Sequence, residues 1–344
     1  MHRKALRALA ALALATSLAG CGGTGTDTAT TTTQDSDGTL TIYSGRNEEF
    51  VGPLLEEFQT QTGIDVDVRY GDSADLAAQL LEEGDRTPSD LFWAQDAGAL
   101  GSVALGGLAT SLPTDVVSVV PAEFRGPSEQ WVGVSGRMRN FVYNKDKVPT
   151  GELPNSVTEL ADPKWNGRVG IAPTNASFQA FVTALRLSAG EGAAEKWLRD
   201  LKANGAKLYE KNSQIVQAVN DGEIDLGLVN HYYVHALKDE LGETKAENGF
   251  FAPNDAGSLV NIAGVLITPK GSKDPDARVL LEWLLSASTQ QKIVDQLREY
   301  PVVASVSAPS GLPVLSEIPG PGVALNDLAD LPATLQLLAK VGLV

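Results

Sequence analysis

Cysteine and histidine are scarce in this sequence of 344 residues, which contains one Cys and three His. A single Cys excludes both a disulfide within the chain and a metal cage built from cysteines. With one of the three histidines at position 2, a Ser-His-Asp triad and a three-histidine zinc site are disfavoured, whereas a Ser-Lys or carboxylate site stays open. We therefore predict that the protein is not an enzyme.

Basic side chains are also in deficit, since 27 Lys and Arg stand against 43 Asp and Glu, a formal charge of −16. Sequence-independent binding of nucleic acid requires clustered Lys and Arg, and no such run exists, so nucleic acid is excluded as a partner. The sequence also lacks the glycine-rich loops that bind nucleotide phosphates. Hydrophobic residues at 43% suffice for a core, and the length fits two lobes or one large domain.

No apolar run reaches the roughly 20 residues that a membrane-spanning helix requires. The N-terminus instead has the order of a secretory signal: a basic start, an Ala/Leu run at 8–15, and small residues before Cys21. The tetrapeptide LAGC that ends at Cys21 resembles the bacterial lipobox, although an ordinary signal peptide with an incidental Cys is the alternative. We predict a signal peptide at 1–20, then a lipidated Cys21 and a flexible Thr/Gly-rich tether at 21–38, with the lipid as the sole membrane contact.

Beyond the tether, strand and helix patterns alternate. Strand-like segments at 39–43, 64–68 and 91–93 are separated by amphipathic segments at 47–60 and 74–83, and a second alternating set begins near Arg168. This order predicts an α/β body with largely parallel strands, whose ligands bind at the carboxyl ends of the strands.

Two adjacent tyrosines, Tyr232 and Tyr233, follow the strand-like segment at 224–229. One interpretation is aromatic packing at a helix entrance. The other is a metal site, because two phenol oxygens at the end of a strand can bind a hard cation. A phenol has a pKa near about 10, so only a strongly charged metal deprotonates it at neutral pH, which favours Fe³⁺ over Mg²⁺ or Ca²⁺.

Several segments resemble the periplasmic ferric-ion-binding proteins of ABC importers, in the family's order and across nearly the whole chain after Thr39. They are TIYSGRNEEFVGPLLEEFQTQTGIDV, LLEEGDRTPSDLFWAQDAGAL, VSGRMRNFVYNKDKV, DPKWNGRVGIAPTNASF, LYEKNSQIVQAVNDGEIDLGLVNHYYVH and LREYPVVASV. The resemblance implies a two-lobed periplasmic-binding-protein clamshell with hinge strands between the lobes. By the same analogy, lobe one comprises residues 39–139 plus 263–313, and lobe two comprises 140–262 plus 314–344.

The resemblance also implies that Tyr232 and Tyr233 are iron ligands, but other ligand positions of the family are altered. Asn47 and Gln95 stand where well-known members carry His and Glu, and Phe178 stands where another subgroup carries a third Tyr. Neutral amides are poor ferric ligands. The candidates that remain for direct or supporting contact with the metal are Asn47, Gln95, Glu48, Asp96 and His231.

An anion can supply the missing negative charge, and carbonate, phosphate and citrate are the candidates. The resemblance, together with the charge of the arginines, gives an anion site formed by Asn175, Ala176, Ser177, Asn212, Asn230, Arg46, Arg137 and Arg139. The alternatives are that Asn175 and Asn230 cap helices and that Arg137 forms a surface ion pair.

The sequence therefore predicts a monomeric lipoprotein that binds ferric iron outside the cytoplasm and delivers it to an ABC permease and its ATPase. The alternative is a clamshell of the same build that binds a metal-free organic or phosphonate anion.

Overall fold

The computed structural model describes Ser36 and residues 38–310, 312 and 314–344. The predicted signal peptide, the lipidation site Cys21 and most of the tether therefore lie outside the described residues. At the end of the tether, the Ser36 hydroxyl donates a hydrogen bond to Asp276 over 2.6 Å. Among the helices of the described ranges, none combines the length and the apolar character that crossing a membrane would require.

The described part of the chain contains ten strands and eleven α-helices. The strands are β1 (Thr39–Ser44), β2 (Asp65–Tyr70), β3 (Leu91–Ala94), β4 (Val132–Asn144), β5 (Val169–Ile171), β6 (Lys207–Leu208), β7 (Leu226–Asn230), β8 (Ala246–Gly249), β9 (Val260–Ile267) and β10 (Tyr300–Pro301). The helices are α1 (Glu48–Thr62), α2 (Ser73–Glu83), α3 (Ala97–Leu105), α4 (Thr114–Val117), α5 (Ala176–Ala189), α6 (Glu191–Ala203), α7 (Asn212–Asp221), α8 (Tyr232–Leu241), α9 (Pro275–Leu285), α10 (Ala287–Lys292) and α11 (Leu331–Val341).

The strands join in the order β2-β1-β3-β9-β4-β7-β5-β6, while β8 and β10 pair with β4 beside this path. Pairing is parallel within β2-β1-β3 and within β7-β5-β6, as the alternating sequence pattern predicts. The pairs β3-β9, β9-β4 and β4-β7, which join these two sets, are antiparallel. The prediction of a largely parallel sheet therefore holds within each set and fails for the strands that connect them.

Strand β4 is the main connection between the two sets. Its first half, to Met138, pairs with β9, and its second half, from Arg139, pairs with β7 and β8. All thirteen residues of β4 are buried. This strand is not evident from the sequence, because Ser135, Arg137 and Arg139 interrupt the apolar pattern that marks a buried strand.

Buried apolar side chains form three clusters. The first lies around β1, β3, β9 and helices α1, α3 and α9, and the second around β5 and helices α5, α6 and α11. The third consists mainly of α7 and the start of α8, and it includes Tyr232 and Tyr233. Leu315, Leu325 and Leu328, which follow residue 313, pack with the first cluster.

Candidate functional site

The candidate residues gather where the sheet topology predicts, at the carboxyl ends of parallel strands. Arg46 follows β1, and Gln95 and Asp96 follow β3. In the second set, the turn at 175–177 follows β5, and the tyrosine pair follows β7. Arg137 and Arg139 reach the same place from the middle of β4, which passes between the two sets.

Tyr232 and Tyr233 begin helix α8, and both are buried, with exposed fractions of 1% and 4%. Their ring centroids lie 4.4 Å apart with 31° between the ring planes. Burial raises the pKa of Tyr233 well above its usual value, and the neighbouring phenol of Tyr232 raises it further. The nearby Arg46 guanidinium and the Asn212 side-chain amide act in the opposite direction. The Tyr233 phenol is therefore harder to deprotonate than an exposed phenol.

A network of amides and one hydroxyl joins the turn at 175–177 to the tyrosines. Asn230 Nδ2 donates to Ser177 Oγ over 2.9 Å and reaches Tyr232 Oη at 3.5 Å. Gln95 Nε2, from the first strand set, donates to the same Ser177 Oγ over 3.1 Å. The predicted positions Gln95, Ser177, Asn230 and Tyr232 are thus brought together by direct contacts.

Asn175 and Ala176 stand at the start of helix α5. Asn175 caps the helix, because its Oδ1 accepts hydrogen bonds from the Ser177 backbone N–H and from Asn212 Nδ2. The Oδ1 atom of Asn212, by contrast, is buried without a partner among the described residues. For Asn175 the capping interpretation is therefore confirmed. For Asn230 it is wrong, because the cap position of α8 is His231 and the Asn230 amide contacts Ser177 instead.

Three buried arginines surround this network. Arg46 Nη2 bonds to Glu299 over 2.6 Å, and the Glu299 carboxylate also accepts from Ser135 Oγ. Burial, the largest single influence, lowers the pKa of Arg46, but the Glu299 carboxylate together with Tyr232 and Tyr233 outweighs burial, and the pKa is raised. Arg139 Nη2 donates to the Leu228 carbonyl over 3.2 Å, and burial lowers the pKa of Arg139 to about 9.

Arg137 is the most unusual of the three arginines. Only 1% of it is exposed, and none of its three guanidinium nitrogens has a hydrogen-bond partner within the described residues. Burial lowers the pKa of Arg137, while the tyrosine Tyr232 acts against that effect. The alternative of a surface ion pair is therefore wrong. A buried, unpartnered guanidinium is costly to a fold, and it fits a site that an anion completes.

The remaining candidates have other partners. Asn47 Nδ2 donates a hydrogen bond to Glu49. The pKa of the Tyr70 phenol is raised mainly by burial and, to a smaller extent, by the negative charge of the exposed Glu48. Asp96 caps helix α3 through its bond from the Ala99 N–H, and burial raises its pKa although Arg137 opposes the shift. Within the described residues, none of these three side chains forms a hydrogen bond with Tyr232 or Tyr233.

Both ring nitrogens of His231 are used by the backbone. Nδ1 accepts from the Met138 N–H over 3.3 Å, and Nε2 lies 2.9 Å from the Arg298 carbonyl oxygen, to which it donates. The imidazole packs edge-on against Tyr232, with ring centroids 5.6 Å apart. His231 therefore supports the tyrosine ring and has no free nitrogen for a metal.

Sequence reasoning missed two contributors, Glu299 and Ser135, although both lie in segments that carry the resemblance. Across the described residues, no group of three or more His, Cys, Asp or Glu side chains is arranged to hold a metal ion.

Residues 89–317 match the family described as bacterial extracellular solute-binding protein. The major ferric iron-binding protein of Neisseria meningitidis serogroup B is 32% identical over 312 residues, which are 88% of this chain and 93% of the relative. Iron-bound HitA from Pseudomonas aeruginosa superposes with a TM-score of 0.84 at 33% identity, covering 88% of this chain and 99% of HitA. The Trichodesmium protein IdiA (FutA), solved in complex with iron and citrate ligands, gives a TM-score of 0.71 at 28% identity, with coverage of 88% and 99%.

These comparisons confirm the predicted α/β, two-lobed periplasmic-binding-protein fold and the predicted resemblance. They also confirm the prediction that the protein is not an enzyme, since its relatives bind solutes. The chain belongs to the bacterial extracellular solute-binding protein family.

Proposed function

We propose that this protein is an extracytoplasmic lipoprotein that captures ferric iron and delivers it to the permease and ATPase of an ABC importer. The iron is bound together with an anion such as carbonate, phosphate or citrate, or it arrives as a ferric chelate. Cys21 carries the lipid anchor, and the protein acts as a monomer.

The observation that carries this proposal is the buried pair Tyr232 and Tyr233. Two phenol oxygens in a water-poor site become good ligands only when a highly charged cation displaces their protons. Ferric iron has that charge and prefers such hard oxygen ligands. The relatives named for ferric iron, at about one-third identity, support the same cargo.

Charge balance supports a bound anion. Two phenolates leave one positive charge on Fe³⁺, and Arg46, Arg137 and Arg139 add three more against the single charge of Glu299. A bound dianion or a citrate offsets much of this excess and gives the nitrogens of Arg137 acceptors. The Trichodesmium relative, which was solved with iron and citrate, is consistent with this arrangement.

The lobe division proposed above, 39–139 plus 263–313 against 140–262 plus 314–344, gives closure a direct role. Gln95 and Arg46 belong to lobe one, whereas Ser177 and the tyrosine pair belong to lobe two. Closing the lobes therefore completes the site from both sides, and the hydrogen bond from Gln95 to Ser177 joins the two proposed lobes.

The tyrosine pair can be tested with Tyr232→Phe and Tyr233→Phe, which keep the ring and remove the oxygen. The purified parent, loaded with ferric citrate, is expected to show a visible phenolate-to-iron absorption band. Each single variant should lose at least about tenfold in iron affinity, which is about 1.4 kcal/mol, and the double variant should be colourless. Because acid returns the protons to the phenols, the parent should also release iron as the pH falls.

A matched control is Tyr300→Phe, because Tyr300 is also fully buried but is not a proposed ligand. This variant should keep the band and the affinity of the parent. If Tyr232→Phe and Tyr233→Phe both keep them as well, the pair is only core packing and the iron proposal is wrong.

The unpartnered Arg137 also favours a second candidate, a clamshell that binds a metal-free organic or phosphonate anion. A protein of that kind is colourless with iron and keeps its ligand after treatment with a chelator. Absorption spectra and mass analysis of the ligand, before and after EDTA, separate the two candidates.

A further inference from the structure

Phe50 is partly buried and packs against two apolar clusters, the first one and the one that contains the tyrosine pair. Among the partly buried apolar side chains of the described residues, it is the only one that contacts both. Its ring meets Tyr232 edge-on at a centroid distance of 5.9 Å and an interplanar angle of 86°. It meets Tyr233 in the same way at 6.0 Å and 71°. One ring therefore makes edge-to-face contact with both proposed iron ligands.

The place of Phe50 in helix α1 explains this double contact. Phe50 lies in the first turn of helix α1, which follows β1. Leu54 is four residues further along the helix and Phe58 eight, and both are buried in the first cluster. Residues at this spacing share one face of a helix. Phe50 thus extends the apolar face of α1 beyond its own core and onto helix α8 of the other strand set.

A cavity of about 410 Å³ lies beside this contact, and its lining includes both Phe50 and Tyr233. Glu49 lines it from the first strand set, and Leu237 and Glu240 line it from α8. Phe50 therefore lies where this cavity reaches the Tyr233 ring, whereas Tyr232 is not part of the lining.

We propose that Phe50 is a positioning residue that sets the rate at which bound iron is released. This inference rests on the proposed function. The ring holds Tyr232 and Tyr233 in place across the closed lobes and keeps competing ligands away from the iron-bound oxygens. Since these ring contacts are made between the lobes, they stabilise the closed, loaded form and are lost when the lobes open.

The test compares Phe50→Ala and Phe50→Leu with the parent, each loaded with ferric citrate and mixed with excess EDTA. Decay of the visible band gives the release rate. We expect about tenfold faster release from Phe50→Ala, because two aromatic contacts are lost, and an intermediate rate from Phe50→Leu, which keeps apolar bulk. The band itself should persist in both variants, because neither removes an oxygen ligand.

Leu237→Ala is the control, because Leu237 lines the same cavity but makes none of these ring contacts. It widens the cavity and should release iron at the parent's rate. Equal acceleration by Leu237→Ala and Phe50→Ala would overturn the inference, since cavity size alone would then control release. If the parent shows the visible band and Phe50→Ala releases iron at the same rate as the parent, the inference about Phe50 is wrong, but the iron proposal still stands. A parent that takes up no ferric iron would instead refute the proposed function.

Discussion

Two buried arginines of this protein differ in whether their charge has partners. Arg186, with 4% exposed, bonds to Glu191, Asp330 and Thr334. Arg137, with 1% exposed, has no hydrogen-bond partner among the residues that the structure describes. A buried group left unsatisfied costs about 1–3 kcal/mol, and a charged group costs more. Arg137 therefore destabilises the metal-free fold, as expected of a residue whose proposed partner is a bound anion.

This difference gives a prediction for Arg137→Met, which keeps an apolar side chain in place of the guanidinium. The metal-free variant should be more stable than the parent by about 1–3 kcal/mol in denaturant unfolding. Its affinity for iron supplied with citrate should fall about tenfold or more, because a charged hydrogen bond is worth about 1.5–3 kcal/mol.

The control is Arg186→Met, which removes a guanidinium that has partners and should reduce stability by about 1.5–3 kcal/mol without changing iron affinity. If Arg137→Met is less stable than the parent and binds iron citrate equally well, Arg137 is structural and has no contact with an anion.

At the scale of elements, sequence patterns identified the helices and parallel strands that end at the site, but not the connection between them. The tyrosine pair and the turn at 175–177 follow strands whose apolar runs are visible in the sequence. Strand β4 carries Arg137 and Arg139 within a fully buried segment, so its composition resembles a loop. The partners of Glu299, which are far away in sequence, could not be derived from local patterns either.

His231 links two such elements, because its ring joins β4, at Met138, to the backbone of Arg298 ahead of β10. Burial lowers the pKa of His231 from 6.5 to about 4. The unfolded chain therefore binds a proton between these pH values that the folded protein does not. The free energy of unfolding therefore falls as the pH drops from 6.5 toward 4, by a total of about 3 kcal/mol. Above pH 6.5 the full stability is present, because His231 is then neutral in both states.

Denaturant unfolding of the metal-free parent and of His231→Leu between pH 7 and 4 checks this prediction. The variant should be less stable at pH 7, since Met138 N–H and the Arg298 carbonyl lose their partner, but its stability should depend less on pH. Parallel pH profiles for the two proteins would show that His231 does not carry this dependence.

On the scale of the whole molecule, the net charge and the charge of the proposed site have opposite signs. The chain carries a formal charge of −16, yet the proposed site contains three buried arginines against one Glu299 carboxylate and Asp96, whose pKa is raised by burial. A negative protein attracts free metal cations at long range and repels anionic chelates, whereas buried arginines favour an anion at short range. We therefore expect the net charge to affect the rate of encounter and the buried arginines to affect retention.

The dependence of association on salt consequently reports which iron species the protein captures. For ferric citrate, which carries a negative charge when citrate is in excess, the association rate should rise about threefold as ionic strength increases from 0.01 to 0.15 M, because salt screens the repulsion. The release rate should change much less, since the buried contacts are poorly screened. Stopped-flow measurement of the visible band at several protein concentrations separates the two rates. Association that slows with added salt would mean that the captured species is positively charged, and that the anion joins the site in a separate step.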